Sequence, residues 1–255
     1  MLGQLDRLPL RPVAPGKREN PTCTQRNARW KVSEETIRRN VRQLASSGAV
    51  RKVHGGVYLP DHNFQELTFQ QRMGEQRDAK QRIARRIAEL IQDGDSVILD
   101  IGSTTAFVAQ ALRHHSNLFV VTNSLSVAHS LAARNNNRVF MAGGELRSHD
   151  GGSFGHEALS FVRQFSVQHA ILSAAAINAE NGFMLMDLQE AEFTREIMRR
   201  APSSIVAADA TKFGKTAPVR ISDPSLIDLL VTDSRPPPDI AALLAKAEVA
   251  VDIAD

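Results

Sequence analysis

The sequence predicts an α/β domain with a mostly parallel sheet, preceded by a small basic segment made of a helix and a hairpin. From residue 80 onward, short apolar strand patterns alternate with helical patterns, which is typical of parallel sheets. The first 59 of the 255 residues contain 12 Lys/Arg and 4 Asp/Glu, a net charge of +8, whereas the remaining residues contain 19 and 24, a net charge of −5. Such asymmetry is typical of a protein whose basic part binds a phosphate backbone.

Residues 1–27 form an atypical, proline-rich segment. Pro9, Pro12, Pro15 and Pro21 each remove an amide donor and clash with helical neighbours, so no helix of useful length is predicted there. We therefore expect this segment to be disordered.

A short helix that presents arginines is predicted after this segment. Ser33 is suited to the N-cap position, and Val32 and Ile37 stand where a hydrophobic staple would fix the entry of the chain. Gly48 provides the stop signal. Ile37, Val41 and Leu44 form one apolar stripe of this helix, and its other faces carry three cations, Arg38, Arg39 and Arg42.

A basic hairpin is predicted next, because Gly55-Gly56 allow a tight turn. A helix that fits the major groove of DNA, with a cationic hairpin beside it, is our interpretation of the two elements together. The alternative is a solvated basic helix and an ordinary hairpin, and the charge asymmetry argues against it. The predicted DNA-binding residues are Ser33, Thr36, Arg38, Arg39, Arg42, Arg51, Lys52 and His54.

The same segment resembles the DeoR-type transcriptional repressors of bacterial sugar metabolism, which are winged helix-turn-helix proteins with the pattern VSxxTIRRDL…GxLxRxHGG. The match departs at Asn40, where the family usually has Asp, and at Ala49-Val50, where it has a larger aliphatic pair. The resemblance implies that residues 28–58 are the remnant of a winged helix-turn-helix domain, followed by a linker at 59–79.

Upstream of residue 28 the resemblance ends, because the family has two supporting helices where this chain has prolines. Three explanations are a start site elsewhere, a compensated frameshift and divergence within the family. We favour a sequence-level error or a gene lesion, and we expect the chain as written to bind DNA with impaired affinity.

Residues 80–255 carry the α/β pattern. Ile83, Ile87, Leu90 and Ile91 form one helical face, and residues 96–100 form a continuous apolar strand. Further strands are predicted at 118–122, 138–142, 169–173, 204–208, 227–232 and 248–252, with helices near 157–164, 188–200 and 239–247.

Polar and glycine residues follow four of the predicted strands. In open parallel sheets the ligand site lies outside the carboxyl ends of the strands. Glycine turns and hydroxyls at a helix N-terminus favour an anion, and a lysine adds charge. Each group alone has an ordinary interpretation as a helix cap or a turn, but together they predict a binding site. Its residues are Asp100, Gly102, Ser103, Thr104, Thr105, Thr122, Asn123, Ser124, Gly143, Gly144, Glu145 and Lys212.

The chain from residue 59 onward resembles the sensor domain of the DeoR-type family, in the motifs GDSVILDIGSTT, VVTNS, GGELR, ENGF and ADATKFGK. That sensor is similar in fold to ribose-phosphate isomerase and coenzyme A transferases, and it binds phosphorylated sugars or related intermediates. The resemblance implies that residues 102–105 hold the phosphate. Departures at His169 and at Ala174-Ala-Ala176 concern the sugar end of the pocket.

Composition excludes several other classes of protein. Cys23 is the single cysteine, so a disulfide framework and a cysteine metal cluster are excluded, and the eight histidines lack metal-ligand spacing. No apolar run approaches the ~20 residues of a membrane span, and the N-terminus lacks an apolar signal core. The sequence therefore predicts a cytoplasmic protein with neither a metal nor another cofactor and without a membrane partner.

Together, these observations predict a repressor of carbohydrate catabolism that binds a double-stranded DNA operator and is controlled by a phosphorylated sugar effector. Two-fold operators and the family resemblance predict a homo-oligomer, a dimer or tetramer. One alternative is a sensor-only relic with impaired DNA binding. The other is an enzyme similar to sugar-phosphate isomerases, for which the candidate acid–base residues are Asp100, Glu145, Asp187 and Lys212.

Overall fold

A computed structural model describes Arg39, residues 51–53, residues 56–58 and residues 67–255. The chain divides into two units, Met1–His62 and Asn63–Asp255. Among the predicted DNA-binding residues, Ser33, Thr36, Arg38, Arg42 and His54 lie outside the described residues, as does the predicted disordered segment.

In the first unit, Arg39 is helical and exposed, as the predicted helix requires. Strands β1 (Arg51–Val53) and β2 (Gly56–Tyr58) pair antiparallel, with Lys52 opposite Val57. The predicted hairpin is therefore confirmed. Gly56 pairs with Val53 and belongs to the second strand, which corrects its prediction as a turn residue.

The second unit is built on a seven-stranded sheet in which every pair of neighbours is parallel. The strand order is β12-β11-β9-β6-β3-β4-β5. The strands are β3 (Ser96–Leu99), β4 (Phe119–Thr122), β5 (Arg138–Met141), β6 (His169–Ser173), β9 (Ser203–Ala207), β11 (Leu229–Thr232) and β12 (Ala250–Ile253). This arrangement confirms the predicted α/β class, and each of these strands lies within two residues of its predicted bounds.

Helices cover the sheet, and its central strands are buried on both faces. Along β3, Val97 and Leu99 belong to one apolar cluster and Ile98 to another, as expected from the alternation of side chains in a strand. Burial on both faces explains why this strand is continuously apolar. The helices are α1 (Phe69–Gly74), α2 (Arg77–Leu90), α3 (Ser103–Ala111), α4 (Leu125–Leu131), α5 (His156–Val162), α6 (Leu188–Met198) and α7 (Pro238–Lys246), with 3-10 turns at Leu112–His114, Ala210–Lys212 and Pro224–Leu226.

A second, three-stranded antiparallel sheet was not predicted from the sequence. It contains β7 (Ala176–Asn178), β8 (Gly182–Leu185) and β10 (Val219–Arg220), with β8 in the centre. The turn between β7 and β8 is closed by Asn178, whose Oδ1 accepts the amide of Asn181 at 2.7 Å. These strands are only two to four residues long, which is too short for a periodic pattern to indicate them.

The predicted linker contains a helix that the sequence pattern did not indicate. Thr68 caps α1, because its Oγ1 accepts the amide of Gln71 at 3.3 Å while Gln71 Oε1 accepts the amide of Thr68 at 3.0 Å. Phe69 is buried at the start of the helix. Six residues are too few to show helical periodicity. The local sequence signal for this helix is therefore its capping box.

Candidate functional site

A pocket opens at the carboxyl ends of β3 and β6, where the sequence predicts a binding site. Four of the predicted residues line it: Gly102, Ser103, Thr104 and Lys212. Its polar lining also includes Arg72, Asp150 and Ser173, which were not predicted to bind a ligand, and Glu190, whose place near a predicted helix start favours the helix dipole and also allows it to reach a sugar hydroxyl. The other eight predicted residues lie beneath or beside this lining.

Gly102 shapes the floor of the pocket. It precedes α3 at the N-cap position and provides no capping side chain, so the first amides of the helix have no side-chain cap. A Cβ atom at this position would lie 2.5 Å from Ser173 Oγ and 3.0 Å from Thr105 Oγ1. Only glycine allows β3, β6 and α3 to approach so closely. An anion could bind at this helix N-terminus, with the buried Ser103 and Thr104 beside it.

Thr105, Thr122 and Ser124 support the pocket through hydrogen bonds within the protein. Thr105 Oγ1 donates to the carbonyl of Gly102 at 3.0 Å. Thr122 Oγ1 donates to the carbonyl of Leu99 at 2.7 Å and accepts the amide of Ser124 at 3.0 Å. Ser124 Oγ in turn caps α4. These three hydroxyls therefore serve as hydrogen-bond partners and a helix cap within the protein, as such residues commonly do.

Asp100 is buried directly behind the pocket. Its Oδ2 accepts the hydroxyl of Thr194 at 2.5 Å, and its Oδ1 accepts the amide of Ile101 at 2.8 Å. Burial raises the pKa of Asp100 to about 6, although these hydrogen bonds act in the opposite direction. The nearby amide of Asn123 also favours the carboxylate, but neither polar atom of that side chain has a partner at hydrogen-bonding geometry among the described residues.

We expect Asp100 to make the protein less stable as the pH rises. Its folded pKa lies above its ordinary value of 3.8, so its contribution to stability is full below that value and is lost as the pH rises through about 6. At 1.36 kcal/mol per pKa unit, this loss is about 3 kcal/mol. Asp100→Asn should remove this slope in urea unfolding measured between about pH 4 and 7. Glu180→Gln, at an exposed position, should keep it, and an equal slope in wild type and Asp100→Asn would contradict the prediction.

Gly143, Gly144 and Glu145 follow β5 and are exposed outside the pocket lining. The carbonyl of Gly143 accepts the hydroxyl of Ser153 at 2.5 Å. Gly144 has a φ of +125°, and a Cβ atom there would lie 3.1 Å from Ser153 Oγ. Gly144 therefore shapes the loop that leads to Asp150, whereas a Cβ atom at Gly143 would meet nothing within 4 Å.

Arg147 forms ion pairs with the acidic residues of the pocket lining. Its Nη2 forms ion pairs with Asp150 at 2.5 Å and with Glu190, and its Nη1 lies 3.7 Å from Asp187. Its guanidinium carbon also lies 4.3 Å from the ring centroid of Phe154. Burial alone would lower the pKa of Arg147, but the hydrogen bond to Asp150 and the charge of Glu190 raise it overall. Burial likewise opposes ionisation of Asp150, yet the bond to Arg147 lowers its pKa.

The cations of the pocket lining are Arg72 and Lys212. Lys212 ends the 3-10 turn after β9, and Asp209 caps that turn by accepting the amide of Thr211 at 3.0 Å. Both cations lie near the buried Lys80, whose pKa burial lowers to about 8. That lowered pKa already includes the charge of Asp209, which raises it, and the charges of Lys212 and Arg72, which act with burial to lower it.

The pocket lining therefore combines two kinds of group. The cations and the helix N-terminus favour an anionic group. Asp150 and Glu190 add carboxylate oxygens, which accept hydrogen bonds from hydroxyl groups. Within residues 67–255 and the short described segments before them, no group of three or more His, Cys, Asp or Glu is arranged to hold a metal ion. None of the helices in this part of the chain combines the length and apolarity needed to cross a bilayer.

Two family models match the chain. The model of the DeoR-like helix-turn-helix domain matches residues 23–63. The model of the DeoR C-terminal sensor domain matches residues 75–234, which is more than half of the sequence. The pocket residues from Asp150 to Lys212 lie inside the second match, whereas Arg72 precedes it.

Several named proteins are similar over most of the chain. The glycerol-3-phosphate regulon repressor of Escherichia coli strain K12 is 35% identical over 224 residues, which cover 88% of both chains. The transcriptional repressor CsqR of the same strain is 34% identical and covers 86% of this chain and 84% of its own. A putative aga operon repressor of Escherichia coli O157:H7 is 30% identical, with coverage of 88% and 84%.

Among solved structures, ribose 5-phosphate isomerase A from Neisseria gonorrhoeae is similar with a TM-score of 0.39. It is 16% identical to the chain, and the match covers 53% of each protein.

Proposed function

Because the chain belongs to the DeoR family of transcriptional regulators, we propose that it represses a carbohydrate-use operon and is released by a phosphorylated effector. The observation that carries this proposal is a pocket lined by both cations and carboxylates, in a chain that also matches a DNA-binding domain. A sugar phosphate combines an anion with several hydroxyl groups, which are the two features that these residues favour.

Double-stranded operator DNA is the proposed partner of the first unit. The recognition helix would present Arg38, Arg39 and Arg42 to the major groove, with Ser33 and Thr36 at base edges or backbone. Arg51, Lys52 and His54 on or beside the hairpin would contact phosphates. We also propose a dimer or tetramer, because helix-turn-helix proteins usually bind two-fold operators.

The phosphate of the effector would bind at the N-terminus of α3. Backbone amides, the hydroxyls of Ser103 and Thr104 and the charge of Lys212 would share its negative charge. Hydroxyl groups of the effector would then donate to Asp150 and Glu190. The support for this assignment is the presence of both cations and carboxylates in one pocket lining.

The alternative of an isomerase is less well supported. Isomerisation requires a general base near the substrate carbon. Of the four acid–base candidates from the sequence, only Lys212 lines the pocket. Asp100 is engaged by Thr194, and Asp187 lies beside Arg147. The named relatives are repressors, which favours a regulator.

A gel-shift series with the full chain and the DNA upstream of its own gene tests the proposal. We expect the protein to shift the DNA at low salt. One compound from a panel of glycerol 3-phosphate, ribose 5-phosphate and hexose 6-phosphates should reverse this shift. The unphosphorylated counterparts should act at least about a hundredfold more weakly, because two or more hydrogen bonds of ~1.5–3 kcal/mol to a charged group are absent. Ser103→Ala and Lys212→Ala should each weaken binding of the effector by about tenfold or more.

Each opposite result has a distinct meaning. If the chain shifts no fragment but still binds a phosphorylated compound in calorimetry, it is the sensor-only relic. Steady conversion of a ligand would support the isomerase. Equal binding of phosphorylated and unphosphorylated sugars would refute the proposed phosphate position.

A further inference from the structure

A groove of about 530 Å³ lies at the edge of the main sheet opposite the binding pocket. Its lining includes Ser204, near the amino end of β9, and Asp228, directly before β11. The binding pocket opens at the carboxyl ends of strands of the same parallel sheet. The volume of the groove is in the range of ~300–1,000 Å³ that ligand pockets have, so it can accept several side chains. An occupant of this groove would leave the binding pocket free.

The groove combines buried apolar side chains with an exposed leucine. Met198 and Ile221 are buried in its lining, whereas Leu226 is 62% exposed. No other large apolar side chain in the described part of the chain is exposed to that extent. The 3-10 turn Pro224–Leu226, which Asp223 caps with its side chain, holds this leucine at the surface. Because the turn is already formed, little ordering of the backbone is needed to bury the leucine against another surface.

Charges of opposite sign reach the groove from two different elements. The end of α6 contributes Arg195 and Arg199 to the lining and no acid. The segment 221–228 contributes Asp223 and Asp228 and contains no cation. A surface that carries both signs on separate elements can pair with a second copy of itself, whereas a surface of one sign would repel its copy.

Arg199 is the cation of the lining that is most accessible to a partner. Arg195 is engaged within the chain, because its Nε donates to the carbonyl of Ile221 at 2.7 Å. The side chain of Arg199 is 65% exposed, and its Nη1 lies 3.6 Å from Glu196. That buried carboxylate also pairs with two further arginines, so it does not neutralise Arg199. Positive charge therefore remains at the end of α6.

We propose that this groove is a two-fold interface between copies of the chain. Leu226 of each copy enters the groove of the other, and Arg199 of each pairs with Asp223 of the other. In a two-fold interface the same patch serves both copies, so knob and groove, and cation and anion, are each satisfied twice. A second copy always carries the complementary residues, which is why it is the occupant that these observations favour. The inference rests on the proposed function, because it assigns a surface to the proposed oligomer.

Sedimentation velocity of the full chain at micromolar concentration provides the first test. Wild type should sediment as a dimer or tetramer. Leu226→Glu should weaken the two-fold contact by about tenfold or more and halve the mass, because it places an unpaired charge in an apolar groove. Leu188→Glu is the matched control, because Leu188 is 57% exposed but lies outside the groove lining. This control should keep the mass of wild type.

A mixing experiment with charge reversals tests the pairing itself. Arg199→Glu and Asp223→Lys should each weaken the contact by about tenfold or more, because like charges then face each other twice. In an equimolar mixture, the two variants restore opposite charges at both positions, so a mixed dimer should form more tightly than either variant alone does. An affinity tag on one variant allows the mixed dimer to be isolated. Only a contact between chains gives this rescue.

Thermal melting would show whether the variants are folded. Asp223 caps the turn that holds Leu226, so Asp223→Lys loses this cap. Asp223→Asn keeps a side-chain oxygen for the cap and removes the charge, and it should also weaken the contact, by a smaller factor than Asp223→Lys does.

Three results would overturn the inference, and they differ in what they mean for the proposed function. If wild type is an oligomer and Leu226→Glu keeps its mass as Leu188→Glu does, the oligomer forms through another surface. If the mixture of reversals associates no better than each variant alone, the two charges do not pair between copies. A wild-type monomer would leave the groove to a small molecule or to another protein, and it would contradict the proposed oligomer as well. Repression and effector release are tested separately by the gel-shift series.

Discussion

Replacing Arg147 with Met is expected to lower the free energy of unfolding of the second unit by about 3–5 kcal/mol. The side chain of Arg147 is 20% exposed, and those of Asp150 and Glu190 are 1% and 9% exposed. Without the guanidinium, two buried carboxylates lose their main compensating charge, which costs far more than an exposed ion pair contributes. Urea unfolding of wild type and variant would measure the difference.

Arg86 provides the matched control for this prediction. It forms ion pairs with Glu89 and Asp252, but its side chain is 42% exposed, so Arg86→Met should change stability little. Adding Asp150→Asn and Glu190→Gln to Arg147→Met should recover part of the lost free energy of unfolding. Neutral side chains at these positions no longer require the cation. Equal destabilisation by Arg147→Met and Arg86→Met would show that the buried network is not important for stability.

Replacing Gly102 with Ala is expected to abolish effector binding and to destabilise the second unit by about 1–3 kcal/mol through overpacking. The new Cβ atom would lie 2.5 Å from Ser173 Oγ and 3.0 Å from Ser173 Cβ, so rotation of the serine hydroxyl alone cannot relieve the clash. The strand end and the first turn of α3 must then separate, which displaces the amides that would hold an anion. Calorimetry with the tightest ester and urea unfolding measure the two effects.

A rescue variant makes this prediction specific. Combining Gly102→Ala with Ser173→Gly removes both clashing atoms of that serine and should restore part of the binding. Gly74→Ala is the control, because a Cβ atom there meets nothing within 4 Å. Wild-type affinity in Gly102→Ala would contradict a phosphate position at the start of α3.

Residues close in sequence made part of the pocket lining predictable. Gly102, Ser103 and Thr104 directly follow a strand that is apolar throughout because it is buried on both faces, and Lys212 follows another strand of the same sheet. The carboxyl ends of parallel strands meet at one edge, so these residues could be grouped before their positions were known. The same reasoning also grouped Thr122 and Glu145 with them, although both lie outside the lining.

The sequence by itself determined the α/β class, the sheet strands within two residues and the glycine–hydroxyl start of α3, because these depend on local periodicity and on turn chemistry. Only the tertiary structure brought cations and carboxylates together in one pocket. Arg147 and Glu190 are 43 positions apart and meet through folding. Arg72 lines the pocket from α1, whose C-terminal end accepts hydrogen bonds from Lys80 of α2. Such contacts depend on where the chain returns in space, and no periodic pattern in a single sequence encodes that.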